Sequence, residues 1–188
     1  GPGQVRVWPS TDPDAARLPL LLALHGWTDS GEVFAPLARA LGRRWTVVAP
    51  DAPGHGGTPW PGGPEYVVKD HRATALGVLD ALPRVAGRRG RVVVLGHSLG
   101  AVTATRVAAA RPDVVVHLVL EEPARATTGS DGVPHVMTLP SVHLPVPHSH
   151  TSAPDLLSRI CVRPPYFTLQ DVTVEGLELR ATTVAEPV

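Results

Sequence analysis

Cysteine is nearly absent from this 188-residue chain, with Cys161 standing alone. That excludes an internal disulfide framework and fits a reducing compartment, so the expected location is the cytoplasm. Surplus charge is missing as well: 17 Lys and Arg balance 17 Asp and Glu. Neither nucleic acid nor an anionic membrane is favoured by such a balance, which leaves a small neutral or mildly polar molecule as the expected partner. No run of about eighteen apolar residues occurs, and no charged-then-apolar leader precedes the first strand, so neither a membrane span nor a signal peptide is expected. The chain begins Gly-Pro-Gly instead of Met. Removal of a leader, or of a longer amino-terminal part, therefore stays open, and the oligomeric state is not readable from the residues.

What is present is organised around residues 91–110, RVVVLGHSLGAVTATRVAAA. A β-branched run (Val92, Val93, Val94, Leu95) leads directly into Gly96-His97-Ser98-Leu99-Gly100 and then into an Ala-rich segment with helical spacing. This is strand, sharp turn, helix. Glycines at both ends of the turn let strand and helix approach closely while Ser98 is held in a strained conformation with its hydroxyl exposed.

The rest of the chain, with 43% hydrophobic residues, is long enough for one domain with a true core. Residues 1–17 suit the end of an edge hairpin, through the alternation Val5, Val7. Leu18 to Leu24 is apolar on both faces, as a strand covered by helices on both sides must be. After His25-Gly26-Trp27, the capping residues Thr28, Asp29 and Ser30 predict a helix with Val33, Phe34, Leu37, Ala38 and Leu41 as its apolar stripe. Trp45 to Ala49 reads as a second buried strand. A Gly- and Pro-rich loop from Asp51 through Pro64 follows, then a helix from Tyr66 through Ala73, Leu76, Leu79 and Leu82 that ends at Pro83. Val114 to Leu120 is a further strand, closed by Glu121-Glu122-Pro123. Strands alternating with helices in this way fold into an α/β architecture, a mostly parallel sheet with helices on both faces.

Three motifs in order give the chain a family resemblance. His25-Gly26-Trp27 looks like an oxyanion loop, Asp51-x-x-Gly54-x-Gly56-x-Thr58 is similar to an Asp-x-x-Gly-x-Gly-x-Ser loop, and Gly96-His97-Ser98-Leu99-Gly100 matches a nucleophile elbow. Over residues 18–126 the chain resembles the α/β-hydrolase superfamily, in its small-esterase and lipase-like branch. The resemblance implies a serine hydrolase acting on a small ester or related acyl bond through an acyl-enzyme on Ser98, without metal or cofactor. It implies oxyanion donors at the backbone amides of Trp27 and Leu99, and a bracing role for His25. Ser at the elbow, where a carboxylate would be needed, argues against epoxide-hydrolase and dehalogenase chemistry; lipase, C–C hydrolase and thioesterase variants stay open.

The resemblance also implies a nucleophile, acid, histidine order, and here the chain departs from it. Glu122 stands where some members carry the acid, but it reads more readily as a solvent-facing strand end beside Glu121. Downstream histidines are His135, His143, His148 and His150, and none sits in a motif. His148-x-His150 lacks a third metal ligand at suitable spacing and reads as an exposed polar loop. His55 reads as part of a structural turn, and His97 as pointing away from the reacting centre. Residues 1–126 are thus expected to form the core. Residues 127–188 are expected to be an irregular tail, the divergent or truncated remainder of the same domain, with an alternation at Val172, Val174, Leu177 and Leu179 and a weak helical turn near 155–160. The rival reading is a catalytically incomplete fragment or a ligand-binding pseudoenzyme.

Overall fold

The computed structural model describes residues 3–18, 20–41, 44–60, 62, 68–87, 90–128, 134–138 and 142–145. Its centre is a six-stranded sheet in which β2 (Leu20–Leu24), β3 (Thr46–Pro50), β4 (Val92–His97) and β5 (Val115–Glu121) run parallel, in the order β3-β2-β4-β5. Edge strands close it on both sides. β1 (Val5–Trp8) lies antiparallel to β3, and β8 (Val142–Pro145) antiparallel to β5. The helices α1 (Ala35–Leu41), α2 (Val68–Val85) and α3 (Leu99–Ala110) make the crossovers that parallel neighbours require.

Alternation along the strands divides the core in two. Leu20, Leu22, Leu24, Val48, Val92 and Val94 face one way and pack on Ala75, Val78, Leu79 and Leu82 of α2 and on Ala101, Ala104, Val107 and Ala108 of α3. Leu21, Ala23, Val47, Ala49 and Leu95 face the other way, onto Phe34 and on Ala38 of α1. All five residues of β2 are buried, as the unbroken apolar run demands.

Several expectations need correction. The first helix opens as a 3₁₀ turn, Gly31–Phe34, with Ser30 Oγ capping the Glu32 amide at 3.3 Å. The tighter turn swings Val33 out of the stripe, and it is 46% exposed. In α2, Ala73 is exposed while His71, Ala75, Val78, Leu79 and Leu82 face inward. The buried stripe is therefore set by the spacing 71, 75, 78, 79, 82, which includes a polar residue. Pro83 does not stop the helix, which runs on to Val85. A proline this close to the carboxyl end forfeits a single backbone bond and leaves the next turn able to close, with the Ala86 amide donating to Leu82 at 2.9 Å. β1, expected as the end of an edge hairpin, is an edge strand paired with β3 among the described residues. The expected irregularity from residue 127 onward also fails in part: β6 (Ala124–Thr128) and β7 (Pro134–Thr138) form a two-stranded antiparallel sheet, and β8 joins the main sheet. The alternation at 172–179, the turn at 155–160, Tyr66, Val67, His148 and His150 lie outside the described residues.

Candidate active site

Non-glycine residues in the left-handed backbone region number three among the described residues: Thr28 (φ 66°), Ser98 (φ 51°) and Glu122 (φ 44°). Each follows the carboxyl end of a neighbouring strand, β2, β4 and β5. Backbone held there by its surroundings costs of the order of 1–3 kcal/mol per residue and gathers at functional sites. Register makes the three ends level. Leu24 pairs with Gly96 and His97 with Glu121, so Gly26, Ser98 and Glu122 stand side by side at the top of the sheet.

Ser98, with φ 51° and ψ −116°, sits at the tip of the turn from β4 into α3, where the sequence places an elbow. Its amide donates to the Glu121 carbonyl at 2.9 Å, and its carbonyl accepts from the Ala101 amide at 3.0 Å. Both flanking glycines are required by space. A Cβ at Gly96 would run into the Gly100 backbone, and a Cβ at Gly100 into the carbonyl oxygen of Leu24. Leu99 is the first residue of α3, so its N–H is one of the four that a helix cannot satisfy internally, and it lies at the positive end of the helix dipole. The 25–28 loop comes up against the serine: a Cβ at Gly26 would lie 3.3 Å from Ser98 Cβ and 3.0 Å from His97 Nδ1. Trp27, next in that loop, is 55% exposed, so its indole lines the mouth and does not fill the core.

Beneath this loop the polar groups are paired. His25 is buried; its Nδ1–H donates to the Gly26 carbonyl at 2.7 Å, and its Nε2 accepts from the Ala52 amide at 3.0 Å. Only the neutral ring can do both, and burial lowers its pKa from the ordinary value, partly opposed by the bond to Gly26. Asp51, fully buried at the end of β3, accepts from the Gly31 amide (2.7 Å), the Gly57 amide (2.7 Å) and Arg6 Nη1 (2.5 Å). The loop that follows closes on itself through Gly54 N–H to Thr58 O (3.1 Å), and Thr58 Oγ1 accepts from the Gln4 amide (2.8 Å). The motif is thus a carboxylate wrapped by amides. Arg6 was not singled out by sequence, although its alternation with Val5 and Val7 turns it to the other face of β1.

The β5 side is different. Glu122 is exposed, and its Oε2 lies 4.0 Å from His97 Nε2, so the imidazole it approaches belongs to the residue before the serine. His143 pairs with Val119 in β8, which puts its backbone two strands from β4 and level with Leu95, roughly 10 Å sideways and roughly 10 Å below Ser98. That exceeds the span of an imidazole. His135 pairs with Thr127 in the separate two-stranded sheet. Among the described residues there is no group of three or more His, Cys, Asp or Glu able to hold a metal ion, and no helix long and apolar enough to cross a membrane.

Comparison with known proteins agrees with this geometry. Residues 20–186 match the model of the alpha/beta hydrolase family. The chain is 42% identical over 110 residues to lipase LipV of Mycobacterium tuberculosis, an overlap covering 58% of this chain and 39% of that protein. It is 35% identical over 142 residues to the sn-1-specific diacylglycerol lipase ABHD11 of Mus musculus, covering 71% of this chain and 43% of the other. The thioesterase domain from the curacin biosynthetic pathway superposes with a TM-score of 0.52 at 31% identity, over 68% of this chain and 44% of that domain. The chain spans about two fifths of the length of the curated relatives it matches.

Proposed function

This chain belongs to the alpha/beta hydrolase family, and from that premise we propose that it is a serine hydrolase acting on a small ester or related acyl bond through an acyl-enzyme on Ser98. The observation that carries the reading is Ser98 itself, strained at φ 51° on the elbow with Gly26 packed against it. Ser98 Oγ attacks the substrate carbonyl carbon, and its proton passes to a general base. The new C–O bond produces a tetrahedral oxyanion, which the amides of Leu99 and Trp27 receive as preorganised donors. Collapse breaks the bond to the leaving alcohol or thiol, which takes the proton, and water then releases the acid from the acyl-enzyme. Relatives named lipase, diacylglycerol lipase and thioesterase support an acyl substrate. None of these steps calls for a metal or cofactor. The single cysteine supports a cytoplasmic setting.

A second reading is favoured by the register of His143 and by the turn of Glu122 toward His97. In it the chain holds the oxyanion half without its base. Loss of the triad in a serine hydrolase leaves only about 10³ to 10⁴-fold catalysis over water. A fluorophosphonate probe separates the two. Labelling of Ser98, abolished in Ser98→Ala and accompanied by hydrolysis of p-nitrophenyl butyrate, supports the first. Absence of both signals in a folded chain supports the second, and labelling that persists in Ser98→Ala overturns the assignment of the nucleophile.

A further inference from the structure

Arg6 belongs to an edge strand, yet its side chain reaches both loops that support Ser98. Val5 and Val7 pack on the α2 and α3 side of the sheet, and Arg6, between them, turns to the face that carries the Gly31–Phe34 turn. There its guanidinium divides between two carboxylates: Nε donates to Glu32 Oε2 at 2.7 Å and Nη1 to Asp51 Oδ1 at 2.5 Å. The acceptors differ in kind, since the Glu32 side chain is 66% exposed and that of Asp51 is fully buried. Asp51 Oδ1 also accepts from the Gly31 amide at 2.7 Å, and Oδ2 from the Gly57 amide at 2.7 Å. From this bridge we propose that Arg6 is a positioning residue for the oxyanion amide of Trp27, acting through Asp51 and Glu32 on the exit of the 25–31 loop.

The loop is a span with two fixed ends, and the Trp27 amide lies between them. At the entry, His25 Nε2 accepts from the Ala52 amide at 3.0 Å, and its ring centroid lies 5.2 Å from that of His55, which in turn meets His71 of α2 at 5.8 Å. At the exit, Gly31 sits so close to β3 that an added Cβ would come within 2.6 Å of the Ala49 carbonyl oxygen. The Gly31 amide bonds Asp51, the residue before Ala52, so one dipeptide holds both ends. A left-handed residue persists only where its surroundings hold it, and Thr28, inside the span, keeps φ 66°. Fixing the exit this way puts a carboxylate where it has no exposed surface. A carboxylate that gives up its water needs a cation and hydrogen bonds in exchange, and Arg6 supplies the cation. Its planar fork can engage two carboxylates through different nitrogens, whereas an ammonium has one nitrogen to share. The strand that carries it is pinned at the same place: the Asp51 amide donates to the Gln4 carbonyl at 2.9 Å, and the Gln4 amide to Thr58 Oγ1 at 2.8 Å. An oxyanion donor is worth most when its position is set before the reaction, and a shift of 1 Å can cost about 100-fold in rate.

The proposal rests on the oxyanion role read above for Trp27, so one arm of its test reads the loop without turnover. Amide hydrogen exchange is followed in the full chain and in its Arg6→Met and Arg6→Lys variants. In Arg6→Met the amides of Trp27 and Gly31 should exchange at least about 10-fold faster, while those of β4 keep their wild-type rates. Arg6→Lys, which keeps the charge but not the fork, should recover part of the protection. The second arm is p-nitrophenyl butyrate hydrolysis by folded chains, well below the unfolding midpoint. There Arg6→Met should lower kcat by about 10- to 100-fold with KM unchanged within about twofold, because the oxyanion forms only after binding, and Arg6→Lys should fall between it and wild type. A role in stability alone would leave folded Arg6→Met with the wild-type kcat, and that outcome overturns the positioning role. Unchanged exchange at Trp27 and Gly31 in Arg6→Met overturns it too. Should Arg6→Met fail to fold, Arg6→Lys decides: a partial loss in both arms supports the bridge between two carboxylates, and wild-type exchange and kcat overturn it. If the wild-type chain neither labels nor turns over, the hydrolase reading fails while the exchange arm still decides whether Arg6 holds the loop.

Discussion

Ser98 has two flanks, and they are built to different standards. On the β2 and β3 side, His25 and Asp51 are buried, and together they take up three backbone amides, one carbonyl and the Arg6 guanidinium at distances of 2.5 to 3.0 Å. On the β5 side, Glu121 and Glu122 are exposed, and Glu122 approaches His97 at 4.0 Å. Burial makes each polar bond on the first flank expensive to lose and so fixes its geometry, whereas solvent on the second flank makes its contacts nearly exchangeable. The first flank can preorganise donors for an oxyanion.

The comparison breaks most severely at Asp51. Asp51→Ala strands two amides and the Arg6 guanidinium, which also reaches Glu32 Oε2 at 2.7 Å on the surface. Removing one member of a buried pair costs about 3–5 kcal/mol, so the midpoint of thermal unfolding should fall by roughly 10 °C or more. A change below about 1 kcal/mol in calorimetry would mean that the loop closes without its carboxylate.

His25 should come next. His25→Ala leaves the buried Ala52 amide and Gly26 carbonyl without their partner, at about 2–3 kcal/mol by chemical denaturation. Its pH dependence has a definite sign. Burial lowers the pKa of His25 in the fold, so the unfolded chain binds the proton more readily, and stability rises with pH. The contribution is fully present above the unfolded value of about 6.5 and is lost as pH falls from there toward the folded pKa. Urea midpoints measured between pH 7.5 and 5 should therefore drop more steeply for the wild-type chain than for His25→Gln. Parallel curves would show that the ring titrates alike in the folded and the unfolded chain.

The sequence made the first flank more legible than the second, for physical reasons. Leu20–Leu24 and Val92–His97 announce themselves because a strand buried on both faces admits almost no polar residue, and the elbow because only glycine fits at 96 and 100. Ser98, Leu99 and Trp27 come with those motifs. Arg6, His55 and His71 do not, since each acts on groups distant in the chain, and His71 is visible only as a histidine in phase with Ala75, Val78 and Leu82. Val33 and Ala73 were misread because a 3₁₀ opening and a shifted stripe both alter the period. β6 to β8 escaped notice because strands of four or five residues at an edge need little apolar patterning.

The smallest effect is expected at Glu122. Its side chain is 63% exposed, and the pair with His97 is at the outer limit of an ion pair, so Glu122→Gln should change stability by less than about 0.5 kcal/mol. The left-handed backbone at φ 44° is kept by both residues, and strain therefore cancels from the difference. What remains is the electrostatic question of whether this carboxylate orients an imidazole that activates Ser98. The 4.0 Å approach to His97 predicts that it does not, so the rate at which a fluorophosphonate labels Ser98 should stay within about twofold of wild type. A fall of 10-fold or more, in the range that general-base catalysis supplies, would give Glu122 the role of the acid and make the exposed flank a working part of the site.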